Sequence, residues 1–317
     1  MELMQVGERT YYIKNPTNIG IYKIDEENVY LIDSGNDKDA GKKILKIVEE
    51  QGWEVKGIIN THSNADHIGG NKVIQDRAGC NIYAYNIEKT FTENPILESS
   101  FLYGGYPFKD LRNKFLLAKE SAVTEIENNL PEGLEYFTLK GHFFDMIGIK
   151  TSDNVYFLAD SLFSEETISK YHLFFIYDVK EYLNTLDYLS SLNASLFIPS
   201  HCEATNNIKS LIDTNRNKIQ ELFGGDKLTM LQMNSYGMIA EYRHHQKLLA
   251  LQKSMREKGL SFEELDDKTL VELSDIEGAY VSCKDDAVGR KSIFDRIKDK
   301  IRGKSVEREE EYGRDNL

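Results

Sequence analysis

Thr61-His62-Ser63-Asn64-Ala65-Asp66-His67-Ile68-Gly69-Gly70 is the segment around which the rest of the chain can be ordered. Two of the chain's seven histidines stand in it, with Asp66 directly before the second. It follows a short β-rich run at 57–60 and precedes a helical pattern at 71–78 that Gly79 stops. Imidazole nitrogens and a carboxylate in a loop beyond a buried strand are the donor types that a Zn²⁺ or Fe ion takes.

Outward from this loop, the same chemistry recurs at the same kind of place. His142 follows Lys140-Gly141 after a strand-like run at 137–139, Asp160 follows the run 155–158, and His201 follows 196–198 through Pro199-Ser200. In open α/β architectures ligands collect beyond the carboxyl ends of strands, so these residues predict one shared site. The flanking pattern agrees. Strands are expected at 18–24, 29–32 and 82–84, and a helix over 39–51 carries Ala40, Ile44, Ile47 and Val48 on one face with Asn36 or Asp37 as cap. A second round has strands at 137–139, 146–151 and 155–158 and a helix over 179–192. Asn28-Val29-Tyr30-Leu31-Ile32-Asp33-Ser34 is echoed by Asn154-Val155-Tyr156-Phe157-Leu158-Ala159-Asp160-Ser161 with one inserted residue, which suggests two similar β-rich halves.

On these elements the chain resembles the metallo-β-lactamase-fold hydrolase superfamily. The resemblance is carried by Leu31-Ile32-Asp33-Ser34-Gly35, the loop 61–67 with Gly69-Gly70, Gly141-His142, the Asp160 strand end and Ser200-His201, in the family's order over residues 7–207. It implies an α/β fold of the αββα type, two β-sheets face to face with helices outside. It also implies two metal positions. The first takes His62, His142 and the residue at position 64, where Asn64 replaces the family's second histidine and leaves only an amide oxygen as a weak ligand. The second takes Asp66, His67 and His201, and Asp160 bridges the two. Tighter binding at the second position follows from the substitution.

The resemblance further implies hydrolysis of a carbonyl or phosphoryl centre by a metal-activated water, with Asp66 both ligand and orienting base. Asn64, if not on the metal, would donate its amide to a developing oxyanion. Asp33 is expected to hold the loop through hydrogen bonds rather than to ligate. The implied cofactor is Zn²⁺, one or two ions, with Mn²⁺ or Fe as alternatives. The substrate is a small molecule of open class: ester, thioester, lactone, amide or phosphodiester. The alternative is a catalytically reduced metal-binding protein with a regulatory or partner-binding role, Asn64 marking the lost activity.

Composition narrows the setting. With 39 Lys+Arg against 52 Asp+Glu in 317 residues, the net charge is −13, which argues against a surface that grips nucleic acid. No apolar run is long enough for a membrane span and the first residues lack a secretion-signal layout, so a cytoplasmic protein is expected. Cys80, Cys202 and Cys283 are far apart and form no CxxC pair, which argues against a disulfide framework. The expected organisation is a hydrolase domain over 1–207, a helical extension over 208–303 and a disordered tail over 304–317. Within the first, an insertion at about 86–131 is rich in Phe, Tyr and Gly and reads either as a flap over the site or as a piece packed on its own domain. Helices at 208–223 and 235–258 and a basic amphipathic helix at 289–303 would offer a surface to a protein partner. His172 could line the pocket, and the adjacent His244 and His245 make a poor metal pair.

Overall fold

The computed structural model describes residues 1–103, 105–107, 109–112, 116–171 and 174–223. They fall within one compact unit, Met1–Ser235, and the second unit, Tyr236–Leu317, lies outside them. His172, His244, His245 and the expected elements at 235–258, 289–303 and 304–317 therefore lie outside the described residues.

Two sheets form the centre. The first has seven strands in chain order: β1 (Glu2–Gln5), β2 (Thr10–Lys14), β3 (Ile19–Lys23), β4 (Asn28–Ile32), β5 (Glu54–Ile59), β6 (Asn81–Ala84) and β7 (Thr124–Glu125). Pairing is antiparallel from β1 to β4 and parallel from β4 to β7. The second sheet is built from β8 (Leu134–Thr138), β9 (Ile147–Thr151), β10 (Val155–Ala159) and β11 (Leu196–Pro199), ordered β11-β10-β9-β8. The helices are α1 (Lys38–Glu50), α2 (Ala65–Ile68), α3 (Asn71–Ala78), α4 (Ile87–Glu93), α5 (Ile96–Tyr103), α6 (Glu165–Tyr171), α7 (Val179–Ser190) and α8 (Lys209–Phe223).

Strand alternation builds the layers. Because side chains point to opposite faces in turn, Leu31 and Ile58 of the first sheet meet helix residues Ile44, Val48 and Ile74, whereas Ile32 and Ile59 meet Ile149, Phe157 and Ile198 of the second sheet. On the far face of the second sheet, Leu158 and Phe197 pack with Tyr182, Leu186 and Leu189 of α7 and Ile212 and Ile219 of α8. Three apolar clusters thus separate four layers, helices, sheet, sheet, helices, which is the αββα sandwich that the family resemblance implies.

The echo between the halves has a structural counterpart. β4 and β10 each pair antiparallel with the preceding strand and parallel with the following one. Each ends in a residue with positive φ, Asp33 at 65° after β4 and Ala159 at 48° in β10. Boundaries shift by up to a few residues from expectation. β8 starts at Leu134 rather than 137 because it pairs along all of β9, Leu134 opposite Thr151 and Thr138 opposite Ile147. The hairpin β1–β2 has no counterpart in the sequence expectation. Asp37, one of the two expected caps, closes the start of α1 by accepting from the backbone N–H groups of Asp39 and Ala40. Among the described residues no helix is long and apolar enough to cross a membrane.

Candidate metal centre

The loop after β5 is stitched to the end of β4. Asp33 accepts hydrogen bonds from the Thr61 N–H and hydroxyl, both at 2.8 Å, and lies 2.8 Å from His67 Nδ1. Ser34 donates through N–H and hydroxyl to the His67 carbonyl. Gly70 sits against this strand end so closely that a Cβ would lie 2.2 Å from the Ser34 carbonyl oxygen, which is why no larger residue fits. Gly141 plays a matching part on the other sheet: its φ of +116° and a would-be Cβ 2.2 Å from the Tyr182 nitrogen bring the chain against α7 and aim His142 inward.

Four imidazoles meet here, and each has its Nδ1 tied to the fold. His67 Nδ1 is bonded to Asp33, His142 Nδ1 to the Phe175 carbonyl at 2.9 Å, His201 Nδ1 to the Pro16 carbonyl at 2.8 Å, and His62 Nδ1 lies 3.1 Å from the Thr61 hydroxyl. A carbonyl or carboxylate oxygen only accepts, so the hydrogen at those rings is on Nδ1 and Nε2 is turned to the centre. His67 Nε2 lies 3.1 Å from Asp160 Oδ1 and 3.6 Å from Asp66 Oδ2. His201 Nε2 lies 3.2 Å from Asp66 Oδ2 and 3.1 Å from Asp160 Oδ2, and His142 Nε2 is 3.6 Å from Asp160 Oδ2. The rings of His62 and His67 are 4.0 Å apart, and those of His62 and His142 are 5.2 Å apart. All six residues predicted as ligands, His62, Asp66, His67, His142, Asp160 and His201, are thus brought to one place. Within it, His62, His67 and Asp160 form one group whose donor atoms lie within 4.8 Å of one another, and Asp66, His67 and His201 form another.

Comparison with known proteins accords with this geometry. Residues 13–201 match the family model of the metallo-beta-lactamase superfamily. The chain belongs to the metallo-beta-lactamase superfamily. Among solved structures, a metallo-beta-lactamase from Pontibacter korlensis superposes with a TM-score of 0.51 at 16% identity, covering 69% of this chain and 98% of that one. The metallo-beta-lactamase SMB-1 in complex with mercaptoacetic acid gives 0.53 at 14% identity, covering 70% and 95%. At such identities the likeness is one of fold. Two curated hydroxyacylglutathione hydrolases match over short segments. The protein from Pelagibacter ubique is 34% identical over 53 residues, 17% of this chain and 22% of that one. The protein from Rhodospirillum rubrum is 37% identical over 49 residues, 16% and 19%. The chain spans about a fifth of the length of the curated relatives it matches.

The donor set suits a metal, as in members of this superfamily. His62 Nε2 is buried with no hydrogen-bond partner among the described residues, and His67 Nε2 and Asp160 Oδ1, 3.1 Å apart, have none besides each other. Unpaired polar atoms cost stability, and a cation among them would meet all three. The charges are balanced accordingly. Burial alone would depress His67 and His201, but Asp160 and Asp66 hold both well above the ordinary histidine range. Burial would likewise raise Asp66 and Asp160, yet His67 and His201 pull both below the usual carboxylate range. His62 and His142 go the other way, lowered by burial and, for His62, next by the neighbouring His67.

Three residues of the site carry no sequence signal of their own. The Thr17 hydroxyl donates to Asp66 Oδ2 at 3.1 Å. Glu88 of α4 accepts from the Ser63 N–H at 3.0 Å, the Ser63 hydroxyl at 2.6 Å and the Asp145 N–H at 2.8 Å, and burial pushes its carboxyl up to about 7. Glu98 of α5 accepts from Asn64 Nδ2 at 2.7 Å, and burial pushes it up to about 8. The insertion therefore packs its acidic side chains under the metal loop, while Phe91 and Phe101 meet Phe143 and Phe144, next in sequence to His142, in edge-to-face and tilted contacts. Asn64 presents its oxygen to His142 Nε2 at 3.1 Å.

Proposed function

We propose that the protein is a metal-dependent hydrolase of a small-molecule substrate with an electrophilic carbonyl or phosphoryl centre. The observation that carries this reading is the convergence of four Nε2 atoms, each fixed by a bond at Nδ1, on the carboxylates of Asp66 and Asp160. His67 and His201 with Asp66 would hold one ion, His62 and His142 with Asn64 a second, and Asp160, whose two oxygens face different rings, would lie between them. The mixed nitrogen and oxygen donors suit Zn²⁺, and also Mn²⁺ or Fe²⁺. A bound divalent ion supplies Lewis acidity and lowers the pKa of water toward neutrality.

The residues do the rest. Asp66 is the least buried of the two central carboxylates, and Thr17 holds its Oδ2 in place, so Asp66 is suited to orient a water and take its proton. Phe143 lies beside the His62 ring, centroids 6.3 Å apart, and is backed by Phe91 and Phe101, so the wall on that side of the site is apolar. Asn64 turns its amide nitrogen to Glu98, which favours the ligand role for its oxygen over the oxyanion-donor role.

The short matches to hydroxyacylglutathione hydrolases put thioesters first among the substrates to try. The test is turnover of thioester, lactone, β-lactam and phosphodiester substrates with Zn²⁺ or Mn²⁺, in the wild type and in Asp66→Ala. Turnover of at least one class that vanishes in Asp66→Ala is expected. Metal binding without turnover of any class would replace this reading by the catalytically reduced, partner-binding one.

A further inference from the structure

Position 64 carries an amide where an imidazole would ligate directly, and an amide has two faces of opposite sense. Its oxygen can ligate a cation; its NH₂ group cannot. Which face meets the centre is set from outside the loop. Asn64 Nδ2 donates to Glu98 Oε1 at 2.7 Å, and this leaves Asn64 Oδ1 3.1 Å from His142 Nε2. His142 bears its hydrogen on Nδ1, bonded to the Phe175 carbonyl, so in the neutral ring Nε2 is a lone pair. Asn64 Oδ1 and this Nε2 therefore stand side by side next to the unpartnered Nε2 of His62, three potential ligand atoms in one place.

Turning the amide over would set Nδ2 against His142 Nε2 instead, but Glu98 Oε1, which also accepts from the Ala65 N–H at 3.4 Å, already takes that nitrogen. Glu98 is itself 4% exposed, and its second oxygen has no hydrogen-bond partner among the described residues. A cation set against Asn64 Oδ1 and the Nε2 atoms of His62 and His142 would meet all three donor atoms and give His62 Nε2 the partner it lacks.

We propose that Glu98 is a positioning residue that orients Asn64 so that its Oδ1, with His62 Nε2 and His142 Nε2, forms a cation position of two imidazoles and one amide oxygen. This rests on the metal-centre reading above and deepens it. Exchange of an imidazole for an amide oxygen makes the position harder, which shifts its preference from Zn²⁺ toward Mn²⁺.

Titration of the metal-free full chain with Mn²⁺, read by the electron paramagnetic resonance of free ion and by mass spectrometry of the complex, resolves each equivalent. Wild type is expected to take about two, one weaker than the other. Glu98→Gln can donate to Asn64 Oδ1 and so permits the amide to turn over; it weakens the weaker equivalent by about tenfold or more and leaves the tighter one within about twofold. The double variant Asn64→His, Glu98→Gln regains the second equivalent, because an imidazole at 64 needs no amide to be oriented. Wild type that takes no metal overturns the metal-centre reading itself. Wild type with a single equivalent, or a second equivalent that Glu98→Gln leaves unchanged, overturns this proposal and leaves that reading standing. Loss of both equivalents in Glu98→Gln without recovery in the double variant also overturns it, since Glu98 would then act only by supporting the fold.

Discussion

A histidine offers a cation whichever ring nitrogen the fold leaves without a hydrogen, and around this centre the fold makes that choice residue by residue. Asp33 shows how much one side chain settles: it accepts from Thr61 twice and holds the His67 ring. Asp33→Ala removes both acceptor oxygens, and with them all three contacts, and places alanine at a φ of 65°, a left-handed conformation that Asp tolerates better than Ala. Its expected effect is a fall in metal affinity of about 10–100-fold, read by competition against a chelator. The raised histidines give a second expectation. In the metal-free protein His67 and His201 keep their protons above the ordinary histidine range, and a cation at Nε2 must displace them. Affinity should therefore climb as pH rises from about 6 to 8, with up to about two protons released per centre, measurable from the buffer dependence of the titration heat. An affinity flat with pH would contradict the protonation pattern.

At the scale of elements, the centre is made by strand ends and by two short helices beneath them. Glu88 on α4 clasps the loop after β5, through Ser63, to the loop after His142, through Asp145. Glu88→Ala leaves two backbone N–H groups without their acceptor, at an expected cost of about 2–4 kcal/mol in denaturant unfolding. The carboxyl is raised from 4.5 to about 7 by burial, so the folded state holds the proton more tightly than the unfolded state does. Its contribution is full below the unfolded value and is lost as pH rises through 7, and the gap between wild type and Glu88→Ala should narrow across that window.

The strand ends were legible in the sequence because His62, Asp66, His67, His142, Asp160 and His201 each follow a run of alternating or continuous apolar residues. The helix 71–78 was legible to the residue because Gly70 and Gly79 bound it, Gly79 in the left-handed conformation at φ 64°. Glu88 and Glu98 were not legible. A carboxylate in an aromatic-rich insertion looks like any solvated acid, and only the packing of α4 and α5 under the loop shows that both are buried. The hairpin β1–β2 escaped for a similar reason, since its pairing with β3 rather than its own pattern makes it part of the sheet.

At the scale of the described molecule, the centre draws on both sheets: Asp33 and the loop 61–67 come from the first, and His142, Asp160 and His201 from the second. A cation held there joins the two halves of the sandwich, so binding should stabilise the fold as a whole. With free ion at 100 times the dissociation constant the gain is about 2.7 kcal/mol, and a chelator should lower the melting temperature correspondingly. The most direct test is the metal content of the purified full chain, measured by mass spectrometry of the elements after equilibration with Zn²⁺ or Mn²⁺ and removal of free ion. About one equivalent or more per chain is expected, lost when His67 and His201 are both replaced by alanine; less than about half an equivalent in the wild type would contradict the account.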